Sequence, residues 1–173
     1  LLNSSRGDFS TANLTPEQER SEEMTTVRQM LEEKGFDVWT VGSDDAIEKA
    51  LELMAEKDVG ALPVIDQGQL VGIISERDLA RSLVSKHGCS MDTPVNEMMT
   101  HTVYFIHPEQ TTDECMLLMT NRHIRHLPVL DHNKLVGLIS IGDVVRNIIS
   151  YQSSTIKGLE NFITGQMMGR YSG

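Results

Sequence analysis

The sequence predicts a mixed α/β (α+β) protein: two β-α-β-β-α repeats packed sheet to sheet about a pseudo-twofold axis, with short terminal helices. Three observations lead there. The stretch Leu70-Val71-Gly72-Ile73-Ile74-Ser75-Glu76-Arg77-Asp78 returns as Leu135-Val136-Gly137-Leu138-Ile139-Ser140-Ile141-Gly142-Asp143. Each copy opens as a run of branched apolar residues, the composition of a short buried strand. Each then changes to helical spacing, with Leu79, Ala80, Leu83 and Val84 on one face of the first copy and Val144, Val145, Ile148 and Ile149 on one face of the second.

The repeat governs the chain from Val38 onward. A shift of 65 residues, the separation of Ser75 and Ser140, aligns 38–85 with 103–150 without a gap. Val38, Met54, Leu62, Pro63, Val64, Asp66, Arg81 and Ser85 are among the residues that recur. The match continues upstream across a small loop insertion, where Val27-x-x-Met30-Leu31 echoes Val95-x-x-Met98-Met99.

Taken in order, residues 1–14 are polar and aperiodic, which predicts a flexible arm. Thr15-Pro16-Glu17-Gln18 predicts a helix start: a hydroxyl to cap free amides, proline at the first helical position and a glutamine to complete a capping box. Val27, Met30 and Leu31 follow as a short amphipathic turn that Gly35 ends. Val38–Val41 and Val103–Ile106 are rich in strand formers. Asp44 or Asp45 is expected to start the helix that carries Ala46, Ile47, Ala50, Leu51, Leu53 and Met54, matched by Cys115, Met116, Leu118 and Met119. The strands Ala61–Ile65 and His126–Leu130 each hold a proline near the start, which suggests an edge or opening position. Asp66-Gln67-Gly68-Gln69 and Asp131-His132-Asn133-Lys134 read as hairpin turns. Leu159, Phe162 and Ile163 predict one short helix near the end. The expected division is the arm over 1–14, a first domain with an N-terminal helix over 15–90, a second domain over 91–154, and a C-terminal helix and tail over 155–173. A unit of about 60 residues is marginal alone, so two sharing a core predict an obligate tandem.

Composition narrows the function. The 173 residues are 39% hydrophobic and 23% charged, the balance of an ordinary soluble domain. Net charge is −10, with Lys and Arg scattered singly. Duplex nucleic acid and anionic membranes select for clustered positive charge, so neither is an expected partner. No apolar run approaches a membrane span and no signal-peptide core opens the chain. Cys89 and Cys115 form no Cys-x-x-Cys, so a reduced, cytoplasmic compartment is expected, or a mitochondrial or other organelle if a transit peptide has been removed.

The two Ser-x-x-Asp junctions carry the chemistry. As structure, Ser75 with Asp78 and Ser140 with Asp143 are capping boxes. As function, a hydroxyl beside a helix N-terminus can hold phosphate, and a carboxylate one turn in can accept both hydrogens of a ribose diol. Gly72 and Gly137 would let a flat base approach the backbone.

Residues 24–150 resemble a pair of cystathionine-β-synthase-type (CBS) domains, the tandem called a Bateman module. The marks are Leu62-Pro63-Val64 with Leu70-Val71-Gly72-Ile73-Ile74-Ser75-x-x-Asp78, and Ile124-Arg125-His126-Leu127-Pro128-Val129 with Leu135-Val136-Gly137-Leu138-Ile139-Ser140-x-x-Asp143. Val95-x-x-Met98-Met99-Thr100 is similar to the family's opening, and the ending resembles stand-alone two-CBS proteins. The resemblance implies an adenosine-bearing ligand, AMP, ATP or NAD(H), in the cleft between the domains and no catalytic cofactor. It implies that Asp78 and Asp143 hold ribose and that Ser75 and Ser140 contact phosphate. Thr40, Phe105 in the matching place, and Gly60-Ala61-Leu62-Pro63 and Arg125-His126-Leu127-Pro128 would border the adenine. It also implies a homodimer, built on helix faces that the family buries, and an unidentified regulated protein.

The repeats differ in charge, with Gly60, Ala61 and Arg77 in one against Arg125, His126 and Gly142 in the other. Arginine is the better bidentate phosphate partner. The expectation is unequal sites, the tighter at Ser140 and Asp143 with Arg125 and His126 near its phosphate and Arg77 reaching across. A cationic His126 would make affinity weaken as pH rises through about 6.5. His123-x-x-His126 lacks a third ligand for a metal. No nucleophile–base set or Walker-type loop supports catalysis. A regulatory ligand sensor is therefore the favoured function, and a ligand-free dimerisation scaffold the alternative.

Overall fold

The computed structural model describes residues 25–84 and 90–169. The arm and the helix start expected at Thr15 lie outside them. The first helix, α1, is Val27–Lys34, and it opens on a capping box in which Thr26 and Gln29 exchange bonds. Repeat one runs β1 (Val41–Gly42), α2 (Ile47–Lys57), β2 (Ala61–Asp66), β3 (Gln69–Ser75) and α3 (Glu76–Val84). A single 3-10 turn at Val95–Glu97 leads to repeat two: α4 (Thr112–Arg122), β4 (His126–Asp131), β5 (Lys134–Ser140) and α5 (Ile141–Gly169).

The repeats share register as well as order. Strand β2 pairs parallel with β1 and antiparallel with β3; β4 pairs antiparallel with β5, and Ile106 makes the bridge to Val129 that matches Val41 on Val64. Each hairpin shifts register once, after Val64 and after Val129. Both turns need two residues at positive φ, Gln67 and Gly68 in one and His132 and Asn133 in the other. The helices α2 and α4 end alike, on left-handed Asp58 and His123.

Several sequence expectations are corrected. Pro63 and Pro128 stand in strands that have neighbours on both sides. Proline is tolerated because Ile73, opposite Pro63, turns its amide and carbonyl away to Thr100, so the missing donor of Pro63 would face the chain before β1 begins. Neither Asp44 nor Asp45 caps α2, whose N-cap is Ala46 with no side-chain bond. Asp45 instead accepts from the Gly42 amide at 2.7 Å and pairs with Lys49. Residues 151–169, expected to hold a separate short helix, continue α5, one helix of 29 residues.

The single shared core becomes two cores, each closed by a segment from outside its own repeat. Val27, Met30 and Leu31 of α1 pack with Ile106, Cys115, Met119, Leu127 and Ile139 of repeat two. Reciprocally, Val95, Met98 and Met99 pack with Ile47, Met54, Leu62 and Ile74 of repeat one. Matched backbone bonds fasten each exchange. The Val27 amide donates to Gln110 at 2.8 Å and the Thr112 amide to Thr25 at 3.0 Å; the Val95 amide donates to Asp45 at 2.8 Å and the Ile47 amide to Thr93 at 2.9 Å.

Gly72 and Gly137 serve this exchange and not a flat base. A Cβ on Gly137 would lie 2.6 Å from Leu31 Cδ2, and one on Gly72 would collide with Met99 Sδ. Gly137→Ala is therefore expected to cost about 1–3 kcal/mol by overpacking, and Leu31→Ala about 2–5 kcal/mol by leaving a cavity. The double variant should lose clearly less than the sum, as read from urea unfolding, because the new methyl enters the space that Leu31 left. Strict additivity would show that the two residues do not share that space.

Candidate functional site

The two strand-to-helix junctions fold as the capping chemistry requires. At the first, the Ser75 amide and hydroxyl both donate to Asp78 Oδ2, at 3.0 and 2.6 Å, and the Asp78 amide returns a 3.3 Å bond to Ser75 Oγ. At the second, the Ser140 amide and hydroxyl donate to Asp143 Oδ2 at 2.8 Å each, and the Asp143 amide donates to Ser140 Oγ at 3.3 Å. The first amide of each helix is spent as well: Glu76 donates to Gly60 O and Ile141 to Arg125 O. What remains to distinguish the junctions is what stands before each carboxylate.

Before Asp78 lies a cavity of about 360 Å³ built from both repeats. Repeat one contributes Gly60, Ile73, Ser75, Glu76, Arg77, Asp78 and Arg81; the chain that crosses between repeats contributes Thr100, Thr102 and Tyr104; the end of α4 and the start of β4 contribute Arg122, His123, Ile124, Arg125 and His126. Four arginines thus converge on one cavity in a chain of net charge −10. Arg77 Nη1 reaches the His123 carbonyl at 3.4 Å, joining α3 to the end of α4. The Arg122 guanidinium lies 4.8 Å from the Tyr104 ring centroid, so an aromatic face is already used to hold a cation at the wall. Arginine forks with an acidic group one turn away are suited to a ligand that carries phosphate at one end and a diol at the other.

Before Asp143 the space is filled. Lys34 Nζ, at the end of α1, donates to Asp143 Oδ2 at 2.6 Å and to the Leu138 carbonyl at 2.9 Å, and Arg146 approaches Oδ1 at 3.5 Å. Burial pushes this carboxyl up, but the Lys34 ammonium and the Ser140 amide and hydroxyl outweigh it and hold it below the usual carboxylate range.

Of the residues singled out in the sequence, Gly60, Ser75, Arg77, Asp78, Arg125 and His126 come together around the cavity. Ser140 and Asp143 form the other junction. Ala61, Leu62, Pro63, Leu127 and Pro128 are buried in β2 and β4, where they set the walls without lining them. Thr40 and Phe105 are exposed outside the cavity, Phe105 with its ring 5.5 Å from that of His107. Arg125 and His126, expected at the phosphate of the Asp143 site, line the cavity of Asp78, because α4 ends facing α3 across the repeats; His126 also pairs across the hairpin with Ser140 and feels the Asp143 carboxylate. Tyr104, Arg122 and Arg81 were missed. Arg81, three residues after Asp78, was findable from helical spacing; the other two depend on the crossing chain.

A cationic His126 is disfavoured in this setting. Burial pushes its imidazole below the ordinary value, Lys34 and Arg125 push the same way, and Asp143 and Asp78 oppose them. The Cys115 thiol, pushed up to about 12 mainly by burial, is an inert core group. Among the described residues, no cluster of three metal-ligating side chains occurs and no helix is long and apolar enough to cross a membrane.

The family model for the CBS domain matches this chain twice, over residues 27–85 and 95–150. The chain belongs to the CBS-domain family. A CBS domain-containing mitochondrial protein of Arabidopsis thaliana, CBSX3, is 33% identical over 83% of this chain and 74% of its own length. Among solved structures, a protein with CBS domains from Burkholderia ambifaria is 49% identical, with a TM-score of 0.69 over 73% of this chain and 95% of that one. The CBS domain pair of protein MJ0100, solved with methylthioadenosine and S-adenosyl-L-methionine, is 26% identical, with a TM-score of 0.65 over 73% of this chain and 98% of that one. In this CBS pair both matched segments begin at the exchanged segments, Val27 and Val95, so each family unit takes in residues that pack on the other repeat.

The position of His126 has a measurable consequence. Its folded-state value lies below the unfolded one of about 6.5, so as pH falls below about 6.5 the unfolded chain takes up the proton first and stability drops. The stability difference between the wild type and His126→Asn should therefore shift against the wild type from pH 7 toward pH 5, by no more than about 1.4 kcal/mol per pH unit. A pH-independent difference in urea unfolding would show that the imidazole does not resist protonation.

Proposed function

We propose that this CBS pair is a regulatory sensor that binds an adenosine-bearing ligand, AMP, ATP or NAD(H), in the cavity between Asp78 and the end of α4. The observation that carries the reading is the cavity's make-up: one capped acidic residue from repeat one facing arginines from both repeats. The ribose diol would donate to Asp78, and the phosphates would lie among Arg77, Arg81, Arg122 and Arg125. A ligand so held ties α3 of one repeat to α4 of the other, and so favours one packing of the pair over another, which is what a signal requires. The adenosine ligands bound by the MJ0100 pair support the class of ligand. The output is a regulated partner protein and not a reaction of the chain's own. A homodimer would present two such pairs together.

A second reading has its own support. Both junctions satisfy their caps internally, and α5 exposes Ile149, Ile156, Leu159, Phe162 and Ile163. A dimerisation scaffold with no ligand would look the same in those respects.

Calorimetric titration with ATP, AMP and NAD separates the two. Binding by the wild type is expected to weaken about tenfold or more in Asp78→Ala, which removes charge-assisted acceptors for the diol. Arg125→Ala should weaken ATP more than adenosine, because it removes a phosphate partner alone. No heat and no thermal stabilisation from any of these ligands at millimolar concentration would leave the scaffold. Turnover of a nucleotide that survives Asp78→Ala would make the chain an enzyme and overturn both.

A further inference from the structure

We propose that Lys34 occupies the second cleft from within, so that this chain takes one adenosine ligand and not two. The inference rests on the sensor reading above and concerns the site that reading leaves aside.

The duplication supplies the comparison. Ser140 and Asp143 repeat the geometry of Ser75 and Asp78, hydrogen bond for hydrogen bond. The difference lies in the segment exchanged onto each repeat. Onto repeat one the chain brings a single 3-10 turn, Val95–Glu97, followed by a turn and bend at Met98 and Met99, after which Thr100 exchanges backbone bonds with Ile73 at 2.8 and 3.1 Å. Onto repeat two it brings a true helix, Val27–Lys34, capped at its start and stopped by Gly35 at φ 101°. Leu138 is the counterpart of Ile73, and its carbonyl is met by the Lys34 ammonium at 2.9 Å instead of by a backbone amide.

The same ammonium sits 2.6 Å from Asp143 Oδ2. It is a donor placed where a sugar hydroxyl would have to donate. Ser75 bonds the Asp78 carboxylate through its amide and hydroxyl, whereas Asp143 is bonded by Ser140 in the same way and also by Lys34 and Arg146. The Asp143 side chain is 13% exposed and the Lys34 side chain 40%, so the carboxylate is sheltered while water reaches the lysine. The groove of about 180 Å³ that borders the pair is lined by α1 and α5 alone, with Met30 and Glu33 on one side and Arg146 and Asn147 on the other. A ribose diol that bonds Asp143 must first displace the lysine from the carboxylate.

The test is calorimetric stoichiometry with ATP, repeated with AMP and NAD, on the full chain. The variants are Lys34→Met, which keeps the apolar stem and removes the ammonium, and Lys34→Gln, which keeps a polar end should the first fold poorly. The wild type is expected to bind about one equivalent, and either Lys34 variant about two. Adding Asp78→Ala should weaken binding about tenfold or more in the wild-type background and leave about one tight equivalent in the Lys34 variants, now at Asp143. Two equivalents in the wild type, or one in both soluble Lys34 variants, would overturn the inference while leaving the sensor reading standing. A wild type that binds none of the three ligands would overturn the sensor reading, and this inference with it.

Discussion

The structure depends on two places where a strand carries no side chain. At Gly72 and Gly137 the sheet surface is bare backbone, and Met99 and Leu31 lie directly on it. A methyl group at either position would meet sulfur or carbon well inside contact distance, so the bare backbone gives the exchanged side chains their room. Each repeat, too small to close a core alone, is completed by residues that precede the other in sequence.

The exchange also makes the cavity. Having laid Met99 against Gly72, the chain runs on through Thr100, Thr102 and Tyr104 toward repeat two, and this crossing stretch becomes one wall. It leaves the end of α4, with Arg122, Arg125 and His126, facing the helix start that holds Asp78. Core and site are thus one construction: the segment that seals repeat one aligns its helix start with the arginines of its twin.

The pseudo-twofold duplicates the scaffold but not the charges. The left-handed caps at Asp58 and His123, the paired register shifts, and the cation–ring contacts of Lys57 on Trp39 and Arg122 on Tyr104 all correspond. The clefts do not. Gly60 stands where Arg125 stands, and Ala61 where His126 stands, so the four clustered arginines gather on one side only. On the other side a lysine at the end of a longer helix answers the acidic residue.

The sequence by itself determined the repeat, the order of strands and helices, the hairpin turns, and the paired junctions, because each is local. Alternating and helical spacings, positive-φ turns and Ser-x-x-Asp caps are written in a few adjacent residues. Only the tertiary structure decided which residues share a site. The same apolar spacing at Val27-x-x-Met30-Leu31 and Val95-x-x-Met98-Met99 marks a buried face without saying whose core receives it, and the family resemblance suggested no exchange. Once the segments cross, Arg125 and His126 belong with Asp78, Lys34 meets Asp143, and the two glycines make room for side chains of the same protein. Contacts between residues far apart in the chain have no signature in local composition, and in this protein they alone separate the open cleft from the filled one.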